Sequence, residues 1–144
     1  MKNVFLATAI LAVVLQPSMG TAQAGQQDFA ALQARAESGD AKAQVELGIA
    51  YASGDGVPAD ATQAVKWFRR AAEKGDAAGE YALGEMYLFG RGVPLDKAEA
   101  LKWIRQAAEH GDAPGQYNLA VFYAQGQGVP KERTRSGKVD AESC

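Results

Sequence analysis

Between residues 39 and 110, apolar and polar positions alternate with the rhythm of helices that bury one side. Ala43, Leu47, Ala50 and Tyr51 recur at three- and four-residue intervals, which brings them onto one face of a first helix. After a Gly-x-Gly-Val-Pro stretch at 54–58, Ala61, Ala64, Val65, Phe68, Ala71 and Ala72 form the apolar face of a second. Lys66, Arg69, Arg70, Glu73 and Lys74 fall mostly on its opposite side, so this helix is amphipathic. The pattern then repeats. Gly79, Leu83, Met86 and Tyr87 take the places of the first set, and Ala98, Leu101, Ile104, Ala107 and Ala108 continue the second.

The interval is 36 residues. It separates Gly39-Asp40-Ala41 from Gly75-Asp76-Ala77 and Gly111-Asp112-Ala113, and Trp67 from Trp103, and it places the Gly-x-Gly-Val-Pro turns at 54–58, 90–94 and 126–130. Aligning 39–74 with 75–110 gives 18 identities in 36 positions, too many for chance, so the unit is a helix A, turn, helix B repeat. The spacing predicts repeat 1 over 39–74, repeat 2 over 75–110 and a partial repeat 3, helix A and turn only, over 111–130. Asp40, Asp76 and Asp112 stand where a carboxylate caps free helix amides and suits the positive end of the helix dipole. Glycines 54, 56, 90 and 92 let the chain leave helix A, and Gly48 and Gly84 leave room for close helix approach. Trp67 and Trp103 are expected to fill the joints between units.

Both ends depart from the unit. Residues 25–38 read as a capping half-repeat helix, with Ala31, Leu32, Arg35 and Ala36 standing 36 positions before Trp67, Phe68, Ala71 and Ala72; its smaller and charged residues suit an outer face that meets water. In the third copy Gln116, Leu119, Phe122 and Tyr123 keep the helix A pattern, but Ser136 and Val139 stand where alanine and tryptophan are expected. Only Val139, Ala141 and Cys144 are apolar between 131 and 144, a composition that predicts a disordered polar tail. Helix A of the third unit is then expected to show part of the face made by Leu119, Phe122 and Tyr123. Roughly 300 Å² of bare apolar surface at about 25 cal/mol per Å² is a loss of about 7 kcal/mol. A homodimer contact through this C-terminal helix face, a different partner, or descent from a longer array each answer that loss.

The first residues carry a separate signal. Lys2 precedes an uncharged run from Val4 to Leu15, and Ala22-Gln23-Ala24 forms a small-x-small site, the three-part pattern of an export leader over 1–24. Its apolar run is too short to span a bilayer, and no longer one follows. The expected location is the periplasm or the exterior. The chain has 15 basic and 17 acidic side chains; loss of Lys2 with the leader changes the balance to 14 − 17 = −3. Mild acidity without a basic stripe argues against nucleic acid as a partner. Cys144 is the only cysteine, so no disulfide forms within the chain; it can cross-link two copies or be an incidental tail residue.

Gly39-Asp40-Ala41, Leu47-Gly48 with Tyr51, the turn at 54–58, and Ala64, Trp67, Phe68, Ala71 and Ala72 together resemble the Sel-1-like repeat family, relatives of the tetratricopeptide repeats. The likeness covers about 28–130. It implies an all-α fold, a right-handed superhelical α/α solenoid of helix pairs whose concave face is lined by helices A, and a scaffold or adaptor role in protein complexes. One exported branch of the family carries a cysteine pair in each unit and is associated with β-lactam binding or hydrolysis; those pairs are missing here, so that activity on β-lactam or cell-wall compounds stands as the alternative.

Tetratricopeptide-like geometry implies groove positions Lys42, Val45, Ile49 and Ser53 in the first unit, Tyr81, Glu85, Leu88 and Phe89 in the second, and Tyr117, Val121 and Gln125 in the third, with Lys42, Glu85 and Asn118 lending specificity. Tyr81 and Tyr117 serve equally well as binding anchors or as packing between helices. Phe89 is the stronger anchor, because its counterparts Ser53 and Gln125 are polar. Catalytic chemistry finds little footing. Ser136-Gly137-Lys138-Val139 lacks the ending of a phosphate loop, no serine has lysine three residues on, and His110 reads as a cation at a helix C-terminus. One histidine and one cysteine do not build a zinc site, and Asp55 with Asp60 lacks the calcium-hand pattern, so neither metal nor cofactor is expected.

Overall fold

A computed structural model of the chain describes residues 20–127. Among the described residues it contains six helices and no strand: α1 Gly20–Glu37, α2 Ala41–Ser53, α3 Ala61–Glu73, α4 Ala77–Phe89, α5 Lys97–Glu109 and α6 Ala113–Ala124. Helices A of the three units are α2, α4 and α6, and helices B of the first two are α3 and α5. Most of the leader, 1–19, and the whole tail at 131–144 lie outside the described residues. Helix α1 begins at Gly20 rather than at Gly25, since the alanine- and glutamine-rich 21–24 stretch favours helix and extends it backwards.

Every helix from α2 onward starts on an aspartate. Asp40, Asp76 and Asp112 accept amide hydrogens from the first turns of α2, α4 and α6, and Asp60 and Asp96 do the same for α3 and α5. Gly54 and Gly90 close α2 and α4 in the left-handed conformation. With the start and stop of each helix fixed by local chemistry, short connections turn each helix back along the one before it. Each helix packs on its neighbours in sequence, and α2 also touches α4.

The core is a column of small layers. Ala36, Ala43, Leu47 and Trp67 join α1, α2 and α3, with Phe29 and Leu32 packed at the edge. Ala64, Val65, Phe68, Ala72, Leu83 and Met86 form the next layer between α3 and α4, with Trp103 leaning on it from α5. Trp67 is buried and Trp103 half-buried, both bridging neighbouring elements. Two helical glycines set the spacing. A methyl carbon on Gly48 would lie 2.5 Å from the Phe68 ring, and one on Gly84 2.7 Å from Ile104 Cγ1, so α2 and α4 each sit against their helix B closer than any side chain permits.

At the C-terminal end the burial thins. Helix α6 buries only Gly115 fully; Leu119 and Phe122 are half-buried, and Tyr123 is exposed. Of the same positions in α4, Leu83 and Met86 are buried in the layer shared with α3, and Tyr87 packs against it.

Candidate binding cleft

The ridge of residues 45, 49 and 53 on α2 faces the ridge 81, 85 and 89 on α4. Four-residue steps keep each set on one side of its helix. Between them opens a cleft of about 620 Å³, lined along its length by Val45, Ile49, Phe68, Tyr81, Ala82, Met86 and Phe89. Phe68 and Met86 belong to the core, so the floor of the cleft is the outer surface of a packed layer. Phe89 and Ile49 rise above that floor at 63% and 53% exposure, large apolar groups without a cover.

The polar rim is built by short range contacts. Tyr81 Oη donates to Glu85 Oε1 at 2.7 Å and accepts from Asn118 Nδ2 at 3.0 Å, tying α4 to α6. Partial burial, then the hydrogen bond and charge of Glu85, push the Tyr81 phenol up to about 12. Asp112 caps α6 through a 2.7 Å contact from Gly115 N, and Arg91 reaches from the turn after α4 to within 3.5 Å of Ala52 O. Ser53 Oγ donates to Ile49 O within its own helix, so its hydroxyl is turned onto backbone.

Tyr81 supplies a direct check on this rim. Because its folded value lies above the ordinary phenol value, the folded state holds the proton more tightly. Stability from this group is fully present below about pH 10 and lost as pH rises through about 12. An absorbance titration at 295 nm should show one late phenol in the folded protein. Glu85→Gln should bring it back toward 10, and an unchanged curve would count against the rim geometry.

Of the residues singled out from the sequence, Val45, Ile49, Ser53, Tyr81, Glu85 and Phe89 meet at the cleft. Lys42, Leu88, Tyr117 and Val121 do not line it: Lys42 is exposed, Leu88 and Val121 are half-buried, and Tyr117 is 71% exposed on α6. The third unit contributes only its first turn, Asp112 and Pro114, while Asn118 holds α6 to α4 through Tyr81. Sequence reasoning missed Arg91. Its signal is the central position of an otherwise constant Gly-x-Gly turn, which holds Asp55, Arg91 and Gln127 in successive units.

His110 stands at the C-terminal cap of α5, and it also places Nδ1 2.7 Å from Oε2 of Glu80, whose side chain is almost wholly buried. Glu80 occupies the repeat position of Gln44 and Gln116. Those amides donate to Ala36 O at 2.9 Å and Ala108 O at 3.1 Å, a bond that an ionised carboxylate does not make. Among the described residues, no group of three histidines, cysteines or carboxylates is placed to hold a metal ion, and no helix is long and apolar enough to cross a membrane.

Stacked helix pairs in a fixed period, capped alike and joined by glycine turns, define an α-solenoid repeat protein. The Sel1 repeat model matches residues 41–76, 77–112 and 113–136, and the chain belongs to the Sel1 repeat family. Among solved structures it resembles a protective antigen of uropathogenic Escherichia coli with an SLR fold, at 50% identity over 70% of this chain and 22% of that one, with a TM-score of 0.67. A Sel1 repeat protein from Oxalobacter formigenes is 43% identical over 69% of this chain and 41% of its own, TM-score 0.63. Cysteine rich protein B of Helicobacter pylori shares 26% identity over 65% of this chain and 71% of its own, TM-score 0.62. The secretory immunoglobulin A-binding protein EsiB of E. coli is 45% identical over 74 residues; the match spans 49% of this chain and 14% of that protein.

Proposed function

We propose that the protein is a non-enzymatic interaction module, exported from the cytoplasm, that grips a segment of a protein partner across the helix A cleft. The carrying observation is the uncovered pair Phe89 and Ile49 standing over an apolar floor on rigid, doubly packed helices. Sel1 repeats are commonly interaction scaffolds, and an immunoglobulin-binding protein is among this chain's relatives. A preformed apolar cleft favours a partner that orders itself on binding, since the protein side has little freedom left to lose. Export rests on the leader pattern at 1–24, and an antigen among the relatives agrees with it.

Cross-linking followed by affinity purification from the native cell identifies the partner. Phe89→Ala should weaken its capture about 30-fold, the effect of removing an anchor worth about 2 kcal/mol, and leave helicity measured by circular dichroism unchanged. Equal capture by the variant removes the cleft from the reading.

A further inference from the structure

Glu85 and Arg91 bracket the apolar strip of the cleft, and among the described residues neither has a counter-charge. The ion pairs among the described residues are Arg35 with Asp40, Lys102 with Glu99 and His110 with Glu80. Glu85 receives only the Tyr81 hydroxyl, and Arg91 only the long contact to the Ala52 carbonyl. Asp112, the remaining charged residue of the rim, has a carboxylate oxygen engaged by the α6 amide of Gly115. The cleft therefore presents an anion midway along α4, a cation just past its end, and Phe89, Ile49 and Met86 around the strip between them.

A ligand that covers this strip also covers both charges. If it brings no opposite charges, it strips water from Glu85 and Arg91 without return. If it brings two charges of one sign, it meets one of them in repulsion, which selects against it. Four residues of helical rise, about 6 Å, carry α4 from Glu85 to Phe89, and Arg91 follows in the turn beyond the Gly90 cap.

On the reading of this cleft as a partner site, we infer that its occupant is a short segment of another protein in which an apolar side chain is flanked by one basic and one acidic residue. Chain direction is free, because either orientation can set the basic group on Glu85 and the acidic group on Arg91. The recognition is thus a matter of charge pairing across an apolar anchor.

The test is selection of random peptides of about 12 residues, displayed on phage, against the full chain and two variants. The native chain should enrich peptides with one basic and one acidic residue around an apolar one. Arg91→Glu should enrich peptides basic on both sides, and Glu85→Lys peptides acidic on both sides, with circular dichroism confirming that both variants stay helical. Peptides selected on the native chain should bind Arg91→Glu at least tenfold more weakly. Peptides that lose binding on Phe89→Ala but show no charge preference overturn the inference and leave the cleft reading standing. Peptides indifferent to Phe89→Ala, or no enrichment at all, overturn both. A dimer in sedimentation that Arg91→Glu dissociates would put a second copy in the cleft and overturn the inference too.

Discussion

Gly92→Ala is expected to destabilise the protein by about 3 kcal/mol or more, whereas the same change at Gly56, one repeat earlier, costs about 1–2 kcal/mol. Both glycines hold positive φ, +70° and +74°, a conformation that a side chain strains by about 1–2 kcal/mol. Their surroundings differ. A methyl carbon on Gly92 would lie 2.4 Å from the carbonyl oxygen of Ala61 and 3.0 Å from Thr62 N, while nothing lies within 4 Å of one on Gly56. The Ala61 carbonyl belongs to the first turn of α3 and has no side-chain freedom with which to retreat, so the turn after α4 must lift off the preceding unit. At about 4 °C or more per kcal/mol for a domain of this size, the melting midpoint should fall by about 12 °C for Gly92→Ala. Equal midpoints for the two variants would show that the turn does not bear on α3.

The second large effect lies at Glu80. His110→Ala leaves a carboxylate that is 2% exposed without its 2.7 Å partner, and the expected loss is about 2–3 kcal/mol. Adding Glu80→Gln should restore most of it, because Gln44 and Gln116 show what an amide does at this repeat position: it donates to the carbonyl eight residues back, which here is Ala72 O. Urea unfolding of both single variants and the double closes the cycle. A double variant no more stable than His110→Ala would mean that the histidine acts alone.

These two sites show what the chain disclosed in advance and what it did not. The 36-residue period made the helix pairs and the aspartate caps of α2, α4 and α6 legible, and Gly48 and Gly84 announced close approach, whereas the caps Asp60 and Asp96 of α3 and α5 went unread. Val45, Ile49, Tyr81, Glu85 and Phe89 were reachable by the same logic, since four-residue steps on two like helices must form facing ridges. Arg91 was not, because a turn residue has no helical register to give its direction. The Glu80 to His110 contact joins residues 30 apart, and only the departure of Glu80 from the glutamine at 44 and 116 hinted at it. Tyr117 and Val121 do not line the cleft, a tertiary outcome that the repeat pattern, which treats every unit as identical, does not carry.

With one fully buried residue, α6 is lightly held on the column, yet it supplies the Asp112 and Pro114 wall and the Asn118 brace. Its amides should exchange with deuterium well before those of α4, whose five buried residues anchor it. On the reading of the cleft as a partner site, fraying of α6 takes that wall and brace with it, and a captured segment is released from that side.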